Sequence, residues 1–203
     1  MPVSFFEDFQ HCGIIDDKNE RQGDCSFSTL EGEATLDISE SIIKKIYEVN
    51  RMIEGLKTLI IDTAEIEGPI YIDPNSSIEK LVFNNTNIDK PFISEGGLKE
   101  LAFKNSPVSL VDINQELDSL TIEGESQSVL TIKTKFPLNI ILKDSNIKEI
   151  YIMSRSVVNI HAKFSNLRHI FNIGGEIVLE SLGCPNIVGD TDNYITNMNA
   201  VIS

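Results

Sequence analysis

The side chains of this 203-residue chain with chemistry to offer are few: His11, His161 and His169, the cysteines Cys12, Cys25 and Cys184, and two loose groups of carboxylates. A nucleophile needs a base beside it and a third group to orient that base, and a zinc ion needs four ligands at short, regular spacing. The cysteines have no C-x-x-C spacing and, apart from His11 beside Cys12, no histidine nearby, so reduced thiols without metal are expected. The motifs G-x-S-x-G, H-E-x-x-H and G-x-x-x-x-G-K do not occur. Asp112, Glu116, Asp118, Glu123 and Glu125 spread over successive apolar segments without converging. Asp190 and Asp192 in GDTDN lack the order of a calcium loop. The reading is no enzyme, no cofactor and no metal.

Composition is that of a globular domain, 41% hydrophobic and 24% charged. No run approaches the roughly 18 apolar residues of a membrane helix, and MPVSFFEDFQHCG has neither the basic leader nor the apolar stretch of a secretory signal. A soluble cytoplasmic protein is expected. The net charge of −14 disfavours nucleic acid and anionic membrane and favours a basic partner. The charge is uneven: Lys133, Lys135, Lys143, Lys148, Arg155, Lys163 and Arg168 face only Asp144 and Glu149, a local net of +5, whereas residues 1–55 carry a net of −7.

Any such residues are positioned by a repeat. Polar turns closed by an apolar residue recur as NNTNI (84–88), KNSPV (104–108), KDSNI (143–147), KFSNL (163–167) and GCPNI (183–187). With Ile66 before them and Val129 filling the gap, the closing residues return at steps of 18 to 22, about seven times. Each repeat holds two short segments rich in Ile, Leu and Val, such as LKELAF (98–103) and VSLVDI (108–113). Ten residues between breakers leave no room for a helix and its connections, so both segments are strands. Two strands per coil, each stacked on its counterpart, predict a parallel β-solenoid with about 4.8 Å per coil.

The pattern L-x-x-L-x-[LIF], as in Leu98-x-x-Leu101-x-Phe103 and Leu117-x-x-Leu120-x-Ile122, resembles the strand segment of leucine-rich repeats over about residues 56–187. The likeness implies a binding scaffold rather than an enzyme. Where that family places a buried Asn ladder this chain has Ala64, Thr86, Ser106 and Glu125, and a second strand replaces the helical half. The fold class read here is therefore mainly β, a solenoid or leucine-rich-repeat-like coil. Residues 1–30 are an acidic segment containing Phe5, Phe6 and Phe9. Residues 31–55 are a strand at 34–38 and an amphipathic capping helix at 39–53, with Ser39 or Ser41 as N-cap. Residues 56–188 form the coils, and residues 189–203 the C-terminal cap.

Alternation within a strand sends alternate residues outward. On the first sheet the outward column is Ile60, Val82, Ala102, Thr121, Ile141 and His161. On the second it is Tyr71, Phe92, Tyr151 and Phe171, interrupted near Asp112 and Thr131. Neither His161 nor His169 is expected to have an acidic neighbour one coil away. Tyr71, Phe92, Tyr151, Phe171, Ile60, Val82, Ile141 and His161 are the candidate partner-binding residues, because aromatic and aliphatic ridges anchor protein interfaces. The function read from them is a non-enzymatic protein-interaction module, such as an inhibitor, immunity protein or antagonist of a basic protein. The alternatives are a carbohydrate-binding or carbohydrate-active β-helix, and a subunit of a larger assembly joined through a sheet face or the solenoid ends.

Overall fold

The computed structural model describes the backbone of the strands Asp24–Leu30, Glu33–Ser39, Ile42–Ile43, Ile187–Gly189 and Ile195–Val201, and the stretch 56–182 apart from residues 64, 67–69, 89 and 125. The described residues form a parallel β-solenoid and contain no helix.

A first sheet of ten strands runs Asp24–Leu30, Glu33–Ser39, Leu56–Asp62, Lys80–Asn84, Glu100–Lys104, Leu117–Glu123, Leu138–Lys143, Val158–Lys163, Ile177–Leu182 and Ile195–Val201. All neighbours are parallel except the first two, which pair antiparallel with Asp24 opposite Ser39. A second sheet of seven strands runs from Ile70–Ile72 to Ile187–Gly189. A third, short sheet pairs Ile42–Ile43, Glu65–Ile66 and Asn87–Ile88. In later coils the short segment fuses with the second-sheet strand to give the nine-residue strands Ser126–Thr134, Asn146–Ser154 and Asn166–Gly174.

The corner after each first-sheet strand is the most regular element. Thr63, Asn85, Asn105, Gly124, Asp144 and Phe164 all take a left-handed backbone, with φ between 46° and 72°. That conformation turns the chain through the corner in a single residue, and short polar residues or glycine tolerate it best. Each of these residues donates its N–H to a carbonyl one coil on. The acceptors are Asn84, Lys104, Glu123, Lys143, Lys163 and Leu182, at 2.8–3.0 Å. At Gly124 a Cβ would stand 2.1 Å from Asn105 Oδ1, so a larger residue there would require the Asn105 amide to move aside.

The next residue inward is a buried hydroxyl: Thr86, Ser106, Ser145 or Ser165. Each hydroxyl donates to the carbonyl two residues before it, at 2.8–3.0 Å. The Ser106 and Ser165 oxygens also accept the N–H of Thr86 and Ser145 one coil below, at 2.9 and 3.1 Å. Buried backbone that no strand ladder reaches is thereby satisfied.

Between the sheets lie Leu59, Leu81, Leu101, Leu120, Ile140 and Ile160 from one side and Ile70, Phe92, Val111, Ile132 and Ile152 from the other, all buried. Phe83 and Phe103 stack at 5.2 Å, and Phe92 meets both edge-on at 6.2 and 5.8 Å.

Three expectations change. Phe92 points inward and is fully buried, because Ile70 pairs with Phe92 and Tyr71 with Ile93. The first described coil is 22 residues long, and aligning Tyr71 with Phe92 slips the strand by one, which exchanges inside for outside. Val129 does not close a turn: Gln127 pairs with Ile147 there, and its Oε1 accepts the Val108 N–H at 3.3 Å, while Val129 faces outward at 41% exposure. The expected helix at 39–53 does not begin as read, since Ser39 ends a strand and Ile42–Ile43 pair parallel with Glu65–Ile66; residues 44–53 lie outside the described residues. At the far end, Ile195–Val201 continues the first sheet.

Phe92→Ala is expected to lower unfolding free energy by about 3–5 kcal/mol, and Leu101→Ala by about 2–5 kcal/mol, as core truncations measured in urea. Phe164 is the bulky exception in the left-handed corner and is 58% exposed, so it loses little by replacement. Phe164→Asn is expected to raise stability by about 1 kcal/mol through relief of backbone strain; a lower melting temperature would contradict that account.

Candidate functional site

On the first sheet, register pairs Ile60 with Val82, then Ala102, Thr121, Ile141, His161 and finally Glu180. Ile60, Val82, Ile141 and His161 therefore stand in one outward column, as expected. Ile141 and His161 are exposed, Ile60 is half-buried, and Val82 is only 7% exposed. Charged pairs across coils flank the column. Lys80 and Glu100 pair at 2.7 Å on one side, and Lys143 pairs with Glu123 on the other. Where the charges end, Asn159 Nδ2 donates to Asn139 Oδ1 at 2.9 Å. The column ends in a depression of about 470 Å3 between Ile141, His161, Lys163, Glu180 and Leu182.

The second sheet does not bring its four expected aromatics together. Phe92 is in the core, and Tyr71 heads a different column, Tyr71–Ile93–Asp112–Lys133–Met153–Ile173. The Tyr71 hydroxyl donates to Glu95 Oε2 at 2.5 Å, and that bond chiefly holds its pKa above the usual tyrosine value. Tyr151 and Phe171 do stand together, continuing Leu110 and Thr131. Their rings stack at 4.5 Å and 12°, close to the spacing of neighbouring strands at about 4.8 Å. The Tyr151 hydroxyl donates to Glu149 Oε2 at 3.1 Å, which raises its pKa likewise.

Three successive strands thus present a grid of outward side chains: Val129, Thr131 and Lys133, then Glu149, Tyr151 and Met153, then His169, Phe171 and Ile173. Met153, Val129 and Ile173 are all exposed, Ile173 the most at 54%. Beside the Lys133–Met153–Ile173 edge lies a groove of about 530 Å3 that also takes in Asp112, Lys135 and Arg155. Sequence reasoning singled out Tyr151 and Phe171 but missed Met153 and Ile173, which lie two residues further along the same strands and so share their face. It also missed Phe164. The signal there was available: a bulky apolar residue at a corner where every other described coil has Thr, Asn, Gly or Asp.

Both histidines face a carboxylate one coil away, against expectation. His161 Nδ1 lies 2.9 Å from Glu180 Oε2, and His169 pairs across the strands with Glu149. For His161 the reason is a coil of 19 residues, which brings Glu180 rather than Ser181 into its column. Of the separate carboxylate group, Glu123 is bound to Lys143, Asp112 sits on the second sheet and Asp118 on the first, so they do not share a site. Glu125, Asp190, Asp192, Cys12 and Cys184 lie outside the described residues. Among the described residues no three potential ligands come together to hold a metal ion, and no helix is long and apolar enough to cross a membrane.

Among the described residues, the one carboxylate held far from its ordinary state is Glu79. Hydrogen bonds from Lys57 and then Lys99 hold its pKa at about 2, against an ordinary 4.5. A carboxylate clamped between two ammonium groups, each one coil away, ties three coils together. Its folded pKa lies below its unfolded one, so its contribution is complete above about pH 4.5 and is lost as pH falls towards 2. Thermal melts of Glu79→Gln and the parent chain are expected to differ at pH 7 and to converge near pH 2; a constant offset over that range would refute the linkage.

Compared with known protein families, with curated proteins and with solved structures, the chain matches none.

Proposed function

We propose that this chain is a non-enzymatic protein-binding solenoid whose docking face is the second sheet over the strands Ser126–Thr134, Asn146–Ser154 and Asn166–Gly174. The observation that carries the reading is the Tyr151–Phe171 stack flanked by exposed Met153, Ile173 and Val129. Contiguous exposed apolar surface on a soluble protein marks an interaction site, and aromatic anchors near its centre supply most of the affinity. The face is flat and rigid, since each strand is hydrogen-bonded on both sides, so binding needs little ordering of the scaffold.

The likeness of Leu98-x-x-Leu101-x-Phe103 to leucine-rich repeats implies a binding scaffold too, and supports the reading at the level of the class. The finer idea of an inhibitor or antagonist of a basic protein rests on the net charge of −14. The grid adds nothing to it, because its charged members, Lys133 and Glu149, stand at opposite edges. A carbohydrate-binding face is less well supported: Tyr151 and Phe171 each use one ring face on the other, which leaves less ring surface open to a sugar.

Affinity capture from lysate of the source cells, with the parent chain beside the Tyr151→Ala/Phe171→Ala variant, tests the proposal. A protein retained by the parent and reduced at least tenfold by the variant, with melting temperature within a few degrees, is the expected result. Retention of nothing, or equal retention by both, overturns it. So does retention or cleavage of an acidic polysaccharide by the parent chain.

A further inference from the structure

We propose that the groove beside this face binds an acidic segment of the partner protein, a stretch in which carboxylates alternate with aliphatic or aromatic side chains. The inference rests on the reading of the second sheet as the docking face and names what it docks.

The groove, about 530 Å3, has Lys133, Lys135 and Arg155 around it and Met153 and Ile173 along one side. None of the three cations forms an ion pair among the described residues. Lys57, Lys80, Lys99 and Lys143 each reach a glutamate one coil away. The chain as a whole has anions to spare, at −14. The columns simply bring none to this groove in a position to pair. Lys133 stands between Asp112 and Met153, and the Asp112 carboxylate accepts from Asn114 Nδ2 at 3.2 Å instead of meeting the lysine. Three clustered cations repel one another, and an arriving carboxylate relieves that repulsion. Arg155 can receive a carboxylate through two parallel N–H bonds, which fixes its orientation as well as its place.

The apolar side of the groove selects among anions. An exposed Met153 and Ile173 next to the cations gives a peptide's aliphatic side chains somewhere to sit while its carboxylates face the lysines. A phosphate chain or nucleic acid gains nothing from that surface. The whole-molecule charge also repels an extended polyanion, which must run past the groove, more than a short acidic segment confined to it.

The test uses two labelled peptides, one alternating Glu with Leu and one alternating Lys with Leu, followed by fluorescence anisotropy in 0.15 M salt. The chains compared are the parent and Lys133→Glu/Arg155→Glu, whose changes are at half-buried and exposed positions. The parent is expected to bind the Glu/Leu peptide at least tenfold more tightly than the Lys/Leu peptide. The charge-reversed variant, with an unchanged circular dichroism spectrum and melting temperature, is expected to lose that preference. No binding of the Glu/Leu peptide, or binding unaffected by charge reversal, overturns the proposal. Displacement of the peptide by inorganic polyphosphate at equal charge also overturns it, since the groove is then a general polyanion site. The two readings fail separately: if Tyr151→Ala/Phe171→Ala abolishes partner capture while Lys133→Glu/Arg155→Glu leaves it intact, the docking face stands and the acidic-segment inference falls.

Discussion

The left-handed corner after each first-sheet strand is the constraint on which the rest of the molecule depends. A single residue at positive φ redirects the chain, its N–H is bonded to the coil above, and a buried hydroxyl completes the backbone around it. A turn of one residue has little slack. It fixes where each first-sheet strand ends and sets the height of the next segment, so like positions of successive coils meet at strand spacing. The use of Ser and Thr here is economical, because a hydroxyl both donates and accepts within one short side chain. An asparagine ladder, as in leucine-rich repeats, would fill the same role with a larger side chain.

Once the coils are in register, the surface becomes a set of columns, and the identity of a column depends on coil length. Coils of 22, 20 and 19 residues are all accommodated within the first sheet. An extra residue or two is absorbed in the connections between strands. Each such change moves later residues relative to earlier ones. Tyr71 therefore belongs with Ile93 and Lys133 rather than with Tyr151, and Glu180 rather than Ser181 answers His161. The same arithmetic pairs most lysines of the first sheet with glutamates and leaves the cations near the end of the second sheet without them. Electrostatic character is in this sense a by-product of register. Individually such exposed pairs contribute little, but their arrangement decides which groove has charge available for a partner.

The two sheet faces differ in consequence. On the first, the apolar column is narrow, flanked by neutralised pairs and amides, and partly shielded at Val82. On the second, the aromatic stack is broadened by Met153 and Ile173 on the same two strands and by Val129 on the strand before. A broad apolar surface with charge at its edges has the anatomy of a protein interface, apolar at the centre and polar at the rim.

Much of the architecture is a local matter and was legible in the chain itself. The recurrence of Asn, Ser and Asp every twenty residues marks the corners, the Ile, Leu and Val runs mark the strands, and simple alternation identified the whole first-sheet column from Ile60 to His161, because the L-x-x-L-x-[LIF] pattern anchors its parity. The second sheet has no such anchor. Its strands begin after connections of unequal length, so whether Phe92 or Ile93 faces the core, and whether Gln127 or Val129 meets Ile147, depends on pairing with residues some twenty positions away. The Ile42–Ile43 stretch, helical by periodicity, was likewise decided by a neighbouring strand edge at Glu65–Ile66. Local chemistry determined that the chain coils and where it turns. Only the tertiary register, a cooperative choice made by all the coils together, decided which side chains reach solvent and which charges meet.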